Sequence, residues 1–232
     1  MKEAIVLAGG FGTRLRGVVS DVPKPMAPVA GRPFLCYVLD NLASQAYTHA
    51  VLATGYMHEV IEAYFGNRYG AMQLSYARET TPLGTGGAMV NAMSHCDSAT
   101  VTVVNGDTLF RADLQRLGQF ASERQTRLAI VLRHVSDAGR YGAVQVAADG
   151  RVVRFCEKEP SAGAGLINGG IYQIEPSLLG KYKPGEPFSF EKDVMQALYT
   201  DEAFYAYADG AYFIDIGVPA DYLRAQTDLA QQ

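Results

Sequence analysis

Cysteine is scarce in this chain of 232 residues. Cys36, Cys96 and Cys156 are spaced too widely for a zinc motif, and an odd count does not suit a disulfide framework. Each sits among small or apolar neighbours, so buried, reduced thiols are expected. No run approaches the ~20 apolar residues of a membrane span. At the amino end, Lys2 and Glu3 precede a short apolar run that Gly9 and Gly10 interrupt, which is not the layout of a signal peptide. A cytoplasmic protein with no membrane partner is expected. Basic charge is not in excess either. The net charge is −4 and no basic stripe is present, which argues against a nucleic-acid partner.

What is present suits an ordinary globular protein, with 48% apolar and 19% charged residues. The length fits a single domain, residues 1–232, able to fold without a disulfide or metal. Residues 4–8 form an apolar run ending at glycines and read as a buried strand. Leu35, Val38, Leu39 and Leu42 share one face at helical spacing, predicting a helix over 34–44. Strands over 50–53, 73–77, 101–104 and 128–132 alternate with helices over 59–65, 86–93 and 113–122. That alternation predicts an α/β class: a Rossmann-like, mostly parallel mixed sheet flanked by helices, with ligands at the carboxyl ends of the strands. After about residue 135 the pattern changes. Strands over 142–147, 152–157 and 167–174 lie close together, with Asp149-Gly150 as a hairpin turn. A helix over 190–199, strands over 204–207 and 212–216, and a last helix opened by Pro219 complete the chain. A nucleotide-binding half, about 1–135, and a sugar-binding half, about 136–232, with a cleft between them are expected.

Residues 7–15 read LAGGFGTRL directly after the first strand. Gly9, Gly10 and Gly12 let backbone N–H groups approach a phosphate, and Arg14 adds a permanently charged planar fork. The loop is expected to lead into a helix whose amino end favours an anion. Leu15 stands where GxGxxG needs glycine, and no GxxxxGK[ST] occurs, so neither common phosphate motif is present. A tight turn with a solvated arginine is the ordinary alternative; Thr13-Arg14 beside the glycines favours phosphate binding. Lys24 lies in VPKPM, between two prolines that stiffen the backbone, and offers a rigid point charge near that loop.

GGFGTRL followed by PKPM resembles the signature of the sugar-nucleotide pyrophosphorylase (sugar-1-phosphate nucleotidyltransferase) superfamily. Residues 79–88 (ETTPLGTGGA), 105–107 (NGD), 141–143 (YGA), 157–158 (EK) and 212–217 (YFIDIG) follow in that family's order, so the resemblance covers nearly the whole chain. PLGTGGA is similar to the PLGTAG of guanylyltransferases, with a glycine for the commoner Ala; Val218 stands where Thr is usual. Over its length the sequence is most similar to D-glycero-α-D-manno-heptose 1-phosphate guanylyltransferases. The resemblance implies a nucleotide-diphospho-sugar transferase fold without a C-terminal β-helix. It implies transfer of GMP from GTP to a heptose 1-phosphate, giving GDP-heptose and pyrophosphate for bacterial surface polysaccharide. A homodimer is compatible with it but not required.

In that reaction a phosphate oxygen attacks the α-phosphorus. A sugar phosphate is mostly anionic at neutral pH, with a second pKa near ~6, so no activated Ser, Cys or His is needed. His49, His58, His95 and His134 indeed fall in no motif. Catalysis is expected to come from charge neutralisation and positioning. Arg14 and Lys24 would hold the phosphates and leaving pyrophosphate. Asp107 and Asp215, at or near the ends of apolar strands, would bind Mg²⁺. A hairpin turn at Asn105-Gly106 and a carboxylate facing the helix start near Pro219 are their bland alternatives. The nucleotide set is Leu7, Ala8, Gly9, Gly10, Gly12, Thr13, Arg14, Lys24, Glu79, Pro82, Leu83, Gly84, Thr85, Asn105 and Gly106, with Glu79 accepting from guanine N–H groups. For the sugar phosphate the family's pattern implies Gly142, Glu157, Lys158, Asn168 and Gly169.

Other readings stay open on the sequence. A mannose-1-phosphate guanylyltransferase or a uridylyltransferase would use the same scaffold. A glycosyltransferase usually carries Asp-x-Asp, and Asp107-Thr108-Leu109 lacks the second acid. A non-catalytic nucleotide sensor need not keep Arg14, Lys24, Asp107 and Asp215 together.

Overall fold

The computed structural model describes residues 2–10, 12, 15, 17–19, 21–139, 141–155 and 163–230. The first apolar run forms β1 (Glu3–Leu7). Two short strands, β2 (Pro28–Val29) and β3 (Arg32–Pro33), precede α1 (Phe34–Ser44). Then come β4 (His49–Thr54), α2 (His58–Phe65), β5 (Arg68–Tyr69) and β6 (Met72–Arg78). Next are α3 (Gly84–Met93), β7 (Val101–Asn105), β8 (Thr108–Phe110), α4 (Leu114–Glu123) and β9 (Leu128–Val135). The remainder supplies β10 (Val144–Val146), β11 (Val152–Phe155), β12 (Gly165–Ile174), β13 (Tyr205–Ala208), β14 (Phe213–Asp215) and α5 (Pro219–Ala230).

Eight strands form one sheet in the order β13-β9-β12-β7-β1-β4-β6-β5. Helical crossovers make β7, β1, β4 and β6 parallel, whereas β12 runs antiparallel between β7 and β9. The class is thus the expected mixed α/β one. Both faces are covered, so alternate residues of a strand enter different cores. In β1, Ala4 and Val6 join α1 and α5 in one apolar cluster, while Ile5 joins α3 in the other. Asp113 caps α4 by accepting from the N–H groups of Gln115 and Arg116 at 2.9 and 3.0 Å, a contact worth about 1 kcal/mol. Among the described residues, no helix is long and apolar enough to cross a membrane.

Three expectations need correction. No helix follows the glycine loop among the described residues; Val18 and Val19 N–H both return to the Leu15 carbonyl in a turn. Only a short 3₁₀ turn, Lys24–Met26, comes before α1. The predicted helix at 190 opens as a π-helix, Phe190–Gln196, buried through Phe190, Val194 and Met195. Cys36 is buried, but Cys96 is only half-buried, with burial pushing its thiol up to about 12; Cys156 lies outside the described residues. The Asp149-Gly150 turn holds: β10 and β11 pair antiparallel, Gly150 has φ +88°, and Asp149 accepts from Arg151 N–H at 3.0 Å.

Candidate active site

Parallel strands β1, β4, β6 and β7 end at the same edge of the sheet, and the site gathers there. Gly12, at φ +58°, passes over Lys24. A Cβ on it would lie 2.8 Å from the Lys24 Cβ, so only glycine fits. Pro23 holds the entry to the Lys24 turn at φ −65°. Lys24 is therefore fixed by the backbone on its own side and by the loop above it. Thr13 and Arg14 lie outside the described residues.

The turn at Asn105-Gly106 does not make a hairpin. It passes the chain out of β7 into β8, and the Gly106 N–H donates to the Leu7 carbonyl at 2.9 Å. β8 pairs instead with β14, Thr108 opposite Asp215, and Ile216 N–H donates to the Asp107 carbonyl at 3.1 Å. That ribbon brings Asp107 and Asp215 together across 215 − 107 = 108 positions of sequence. Lys24 Nζ lies 2.5 Å from Asp107 Oδ2 and 3.6 Å from Asp215 Oδ1. Burial pushes the Asp215 carboxyl up and the Asp107 charge adds to it, while Lys24 and the Gly217 N–H, at 2.7 Å, oppose. Two converging carboxylates with one ammonium between them leave negative charge in excess. With phosphate oxygens added, this donor set fits the oxygen-rich coordination of Mg²⁺.

Beside this cluster is a cavity of about 460 Å³. Of the expected nucleotide residues, Leu7, Gly9, Gly10, Glu79, Pro82, Gly84, Thr85 and Asn105 line it, as does Asp107. Ala8, Leu83 and Gly106 are buried and do not line it. Gly9 and Gly55 pack against each other and against Glu79; a Cβ on Gly9 would lie 3.1 Å from Glu79 Oε1. Glu79 is held through its N–H on the Thr54 carbonyl at 2.8 Å, and its Oε2 accepts from Leu83 N–H at 3.1 Å. Burial raises the Glu79 carboxyl, and the Leu83 hydrogen bond only partly offsets this. A half-buried carboxylate facing a cavity suits an N–H-rich ligand edge.

Sequence reasoning missed Gly55, Tyr56 and Glu191 in the cavity wall. Gly55 carries a signal, a glycine at the carboxyl end of an apolar strand. Glu191 carries none, because it arrives from the π-helix more than a hundred residues after Thr85, whose hydroxyl donates to it at 2.5 Å.

Three of the expected sugar residues lie outside the cavity wall. Gly142 has φ +84°, with its N–H on the Ala138 carbonyl at 3.1 Å. Asn168 precedes a two-residue bulge in β12, where pairing jumps from Asn168–Leu132 to Ile171–Val131. Its Nδ2 donates to the Tyr172 hydroxyl at 2.6 Å and its Oδ1 accepts from Gly170 N–H at 3.0 Å. A Cβ on Gly169 would meet the Phe110 ring at 2.6 Å, and one on Gly170 the Asn105 amide at 2.6 Å. The bulge thereby packs onto the β7–β8 segment that carries Asp107. None of Gly142, Asn168 or Gly169 lines the cavity. Glu157 and Lys158 lie outside the described residues.

The nucleotidyl transferase family matches residues 3–232. The D-glycero-alpha-D-manno-heptose 1-phosphate guanylyltransferase of Aneurinibacillus thermoaerophilus is 43% identical over 227 residues, 98% of each chain. The mannose-1-phosphate guanylyltransferase of Mycobacterium tuberculosis is 37% identical over 99% of this chain and 65% of its own length. Among solved structures, HddC from Yersinia pseudotuberculosis complexed with GMP-PN has a TM-score of 0.86 and 34% identity, covering 99% of this chain and 100% of that one.

Proposed function

The chain belongs to the nucleotidyl transferase family and is a sugar-1-phosphate guanylyltransferase, and from that premise we propose that its sugar substrate is D-glycero-α-D-manno-heptose 1-phosphate. The observation that carries the heptose is the 43% identity, over 98% of both chains, to an enzyme of that name. The product would be GDP-heptose, an activated donor for surface polysaccharide made in the cytoplasm.

The chemistry is an attack by one polyanion on another, so the chain's task is to offset repulsion and align the reactants. The Gly9–Gly10 backbone leaves room for phosphates close to the main chain. Arg14 and Lys24 supply fixed positive charge for the triphosphate and the departing pyrophosphate. Asp107 and Asp215 would hold Mg²⁺, which when bound supplies further positive charge at the phosphates. With those carboxylates on a metal, Lys24 would face phosphate oxygen in place of Asp107. Glu79 accepts from guanine N1–H and N2–H, a pairing adenine and uracil cannot complete. Glu157, Lys158, Gly142, Asn168 and Gly169 take the sugar phosphate. The attacking oxygen is already ionised, so no residue is assigned as general base.

The test is a matrix of nucleoside triphosphates against sugar 1-phosphates, following pyrophosphate release. GTP with the heptose 1-phosphate should give the highest kcat/KM. A higher value with mannose 1-phosphate would replace the heptose, and UTP above GTP would remove the role of Glu79.

A further inference from the structure

Among the described residues, Glu191 is the one cavity-lining residue contributed by the chain after Asp107. Its Oε2 receives two hydroxyl donors, Thr85 at 2.5 Å and Ser189 at 3.0 Å. Among the described residues nothing donates to its Oε1. The same Thr85 oxygen accepts from Phe190 N–H at 3.0 Å, so one hydroxyl both ties down the start of the π-helix and aims the carboxylate behind it. Two backbone bonds reinforce this tie: Gly86 N–H to the Phe188 carbonyl at 3.1 Å, and Phe188 N–H to the Leu83 carbonyl at 3.0 Å. Phe190 is fully buried against Tyr172, with ring centroids 5.2 Å apart. Glu191 therefore does not hang from a loose loop.

A carboxylate in a cleft built for phosphates cannot face a phosphate, because the two charges repel strongly once water is thinned out. It must face donors. Glu79, beside Gly9 and Gly55, takes the N–H edge of the base. Glu191 lines the same cavity as Asp107, and burial, the Glu191 charge and the Asp107 charge all push the nearby Tyr172 phenol up.

We infer that Glu191 is a hydroxyl-binding residue of the cleft and that Thr85, through its hydroxyl, is the positioning residue that holds it. The ligand class is a polyol bearing a phosphate, either the ribose of the nucleotide or the sugar phosphate. This rests on the guanylyltransferase reading. It adds that the loop expected to serve the base also fixes a contact to a hydroxyl, through a residue arriving from far along the chain.

Calorimetric binding and steady-state kinetics of Thr85→Val, Thr85→Ser and Glu191→Gln test it, with GTP, 3′-deoxy-GTP, 2′-deoxy-GTP and the sugar 1-phosphate as probes. Thr85→Val and Glu191→Gln should each weaken one of the two substrates by about ten- to a hundredfold, with the loss in KM larger than that in kcat. Thr85→Ser should recover most of it. A ribose contact shows as a loss on GTP that vanishes with one deoxy analogue. A sugar contact shows as a loss confined to the sugar phosphate. Wild-type affinity for both substrates in Glu191→Gln, which keeps the Thr85 bond and the fold, would overturn the inference. So would equal losses in the Val and Ser variants, which would make Thr85 a matter of packing. Absence of GTP binding by the wild type would instead overturn the guanylyltransferase reading, and this inference with it.

Discussion

The Lys24 ammonium stands between two carboxylates, 2.5 Å from Asp107 Oδ2 and 3.6 Å from Asp215 Oδ1. Without substrate it is the counterion of the acidic pair. On the proposed mechanism, a metal on the pair would leave it as a cation for phosphate. One residue would then serve stability in one state and chemistry in the other, and the predictions for it and for Asp215 run in opposite directions.

Lys24→Ala removes the cation from both roles. Turnover should fall roughly 10²–10³-fold, and the thermal midpoint should fall too, because Asp107 and Asp215 then repel each other unscreened. The two losses separate in magnesium: added Mg²⁺ should restore the midpoint but not kcat. Near-normal kcat in a pyrophosphate assay would remove Lys24 from the mechanism.

Asp215→Asn should abolish turnover and yet stabilise the free protein. Burial and Asp107 raise the Asp215 carboxyl in the folded state. A raised carboxylate costs stability above its folded pKa, and that cost disappears as pH falls below the unfolded value. The amide mimics the protonated form at every pH. A gain of about 1 kcal/mol, roughly 2–4 °C for a chain this size, should appear at neutral pH and shrink in acid. A calorimetric scan at two pH values checks it; a lower midpoint at neutral pH would contradict the electrostatic account.

Glu79 is also raised by burial, so it becomes protonated at higher pH than an ordinary glutamate. Two consequences of opposite sign follow. The free fold should gain stability as pH falls through that range, while GTP affinity should drop, because the protonated carboxyl is a poorer acceptor for guanine. Glu79→Gln should raise the KM for GTP by about tenfold or more and flatten its acid dependence. Unchanged discrimination between GTP and ATP in this variant would take the guanine contact away from Glu79.

Much of the fold was legible because both faces of the sheet are buried, which makes the strands continuous apolar runs. Residues 101–104 and 50–53 stand out for that reason, and α1 has the predicted bounds because its apolar face and its end at Ser44 are both local features. β8 was not legible. Its three residues have no period of their own and exist as a strand only by pairing with β14. The same ribbon settles the Asn105-Gly106 turn, whose local preference for a hairpin loses to the tertiary pairing. At the site, the glycine loop, Lys24 and the acidic pair were visible as motifs. Asn168 was visible as a residue, but not its internal bonds to Tyr172 and Gly170. Glu191 depends on a contact across 106 positions, and no window of sequence shows such a contact.

Gly87 lies inside α3 against the segment 186–188, and the packing explains why it carries no side chain. Helix propensity alone predicts that Gly87→Ala, inside α3, gains about 1 kcal/mol. A Cβ there, however, would lie 2.5 Å from the Glu186 carbonyl oxygen and 2.8 Å from the Leu83 Cβ. Neither neighbour is a flexible side-chain end. Glu186 precedes Phe188, which is bonded to Leu83 and Gly86, and Leu83 N–H is the group that holds Glu79. Relieving the clash must move either the 186–188 strap or the loop whose Leu83 N–H holds Glu79. Overpacking of this kind costs about 1–3 kcal/mol, enough to cancel or reverse the propensity gain. The variant should therefore melt no higher than the wild type, and its KM for GTP should rise as Leu83 shifts away from Glu79. A midpoint raised by the full propensity increment, with the KM for GTP unmoved, would mean that the strap yields freely and that Gly87 is not needed for the fit.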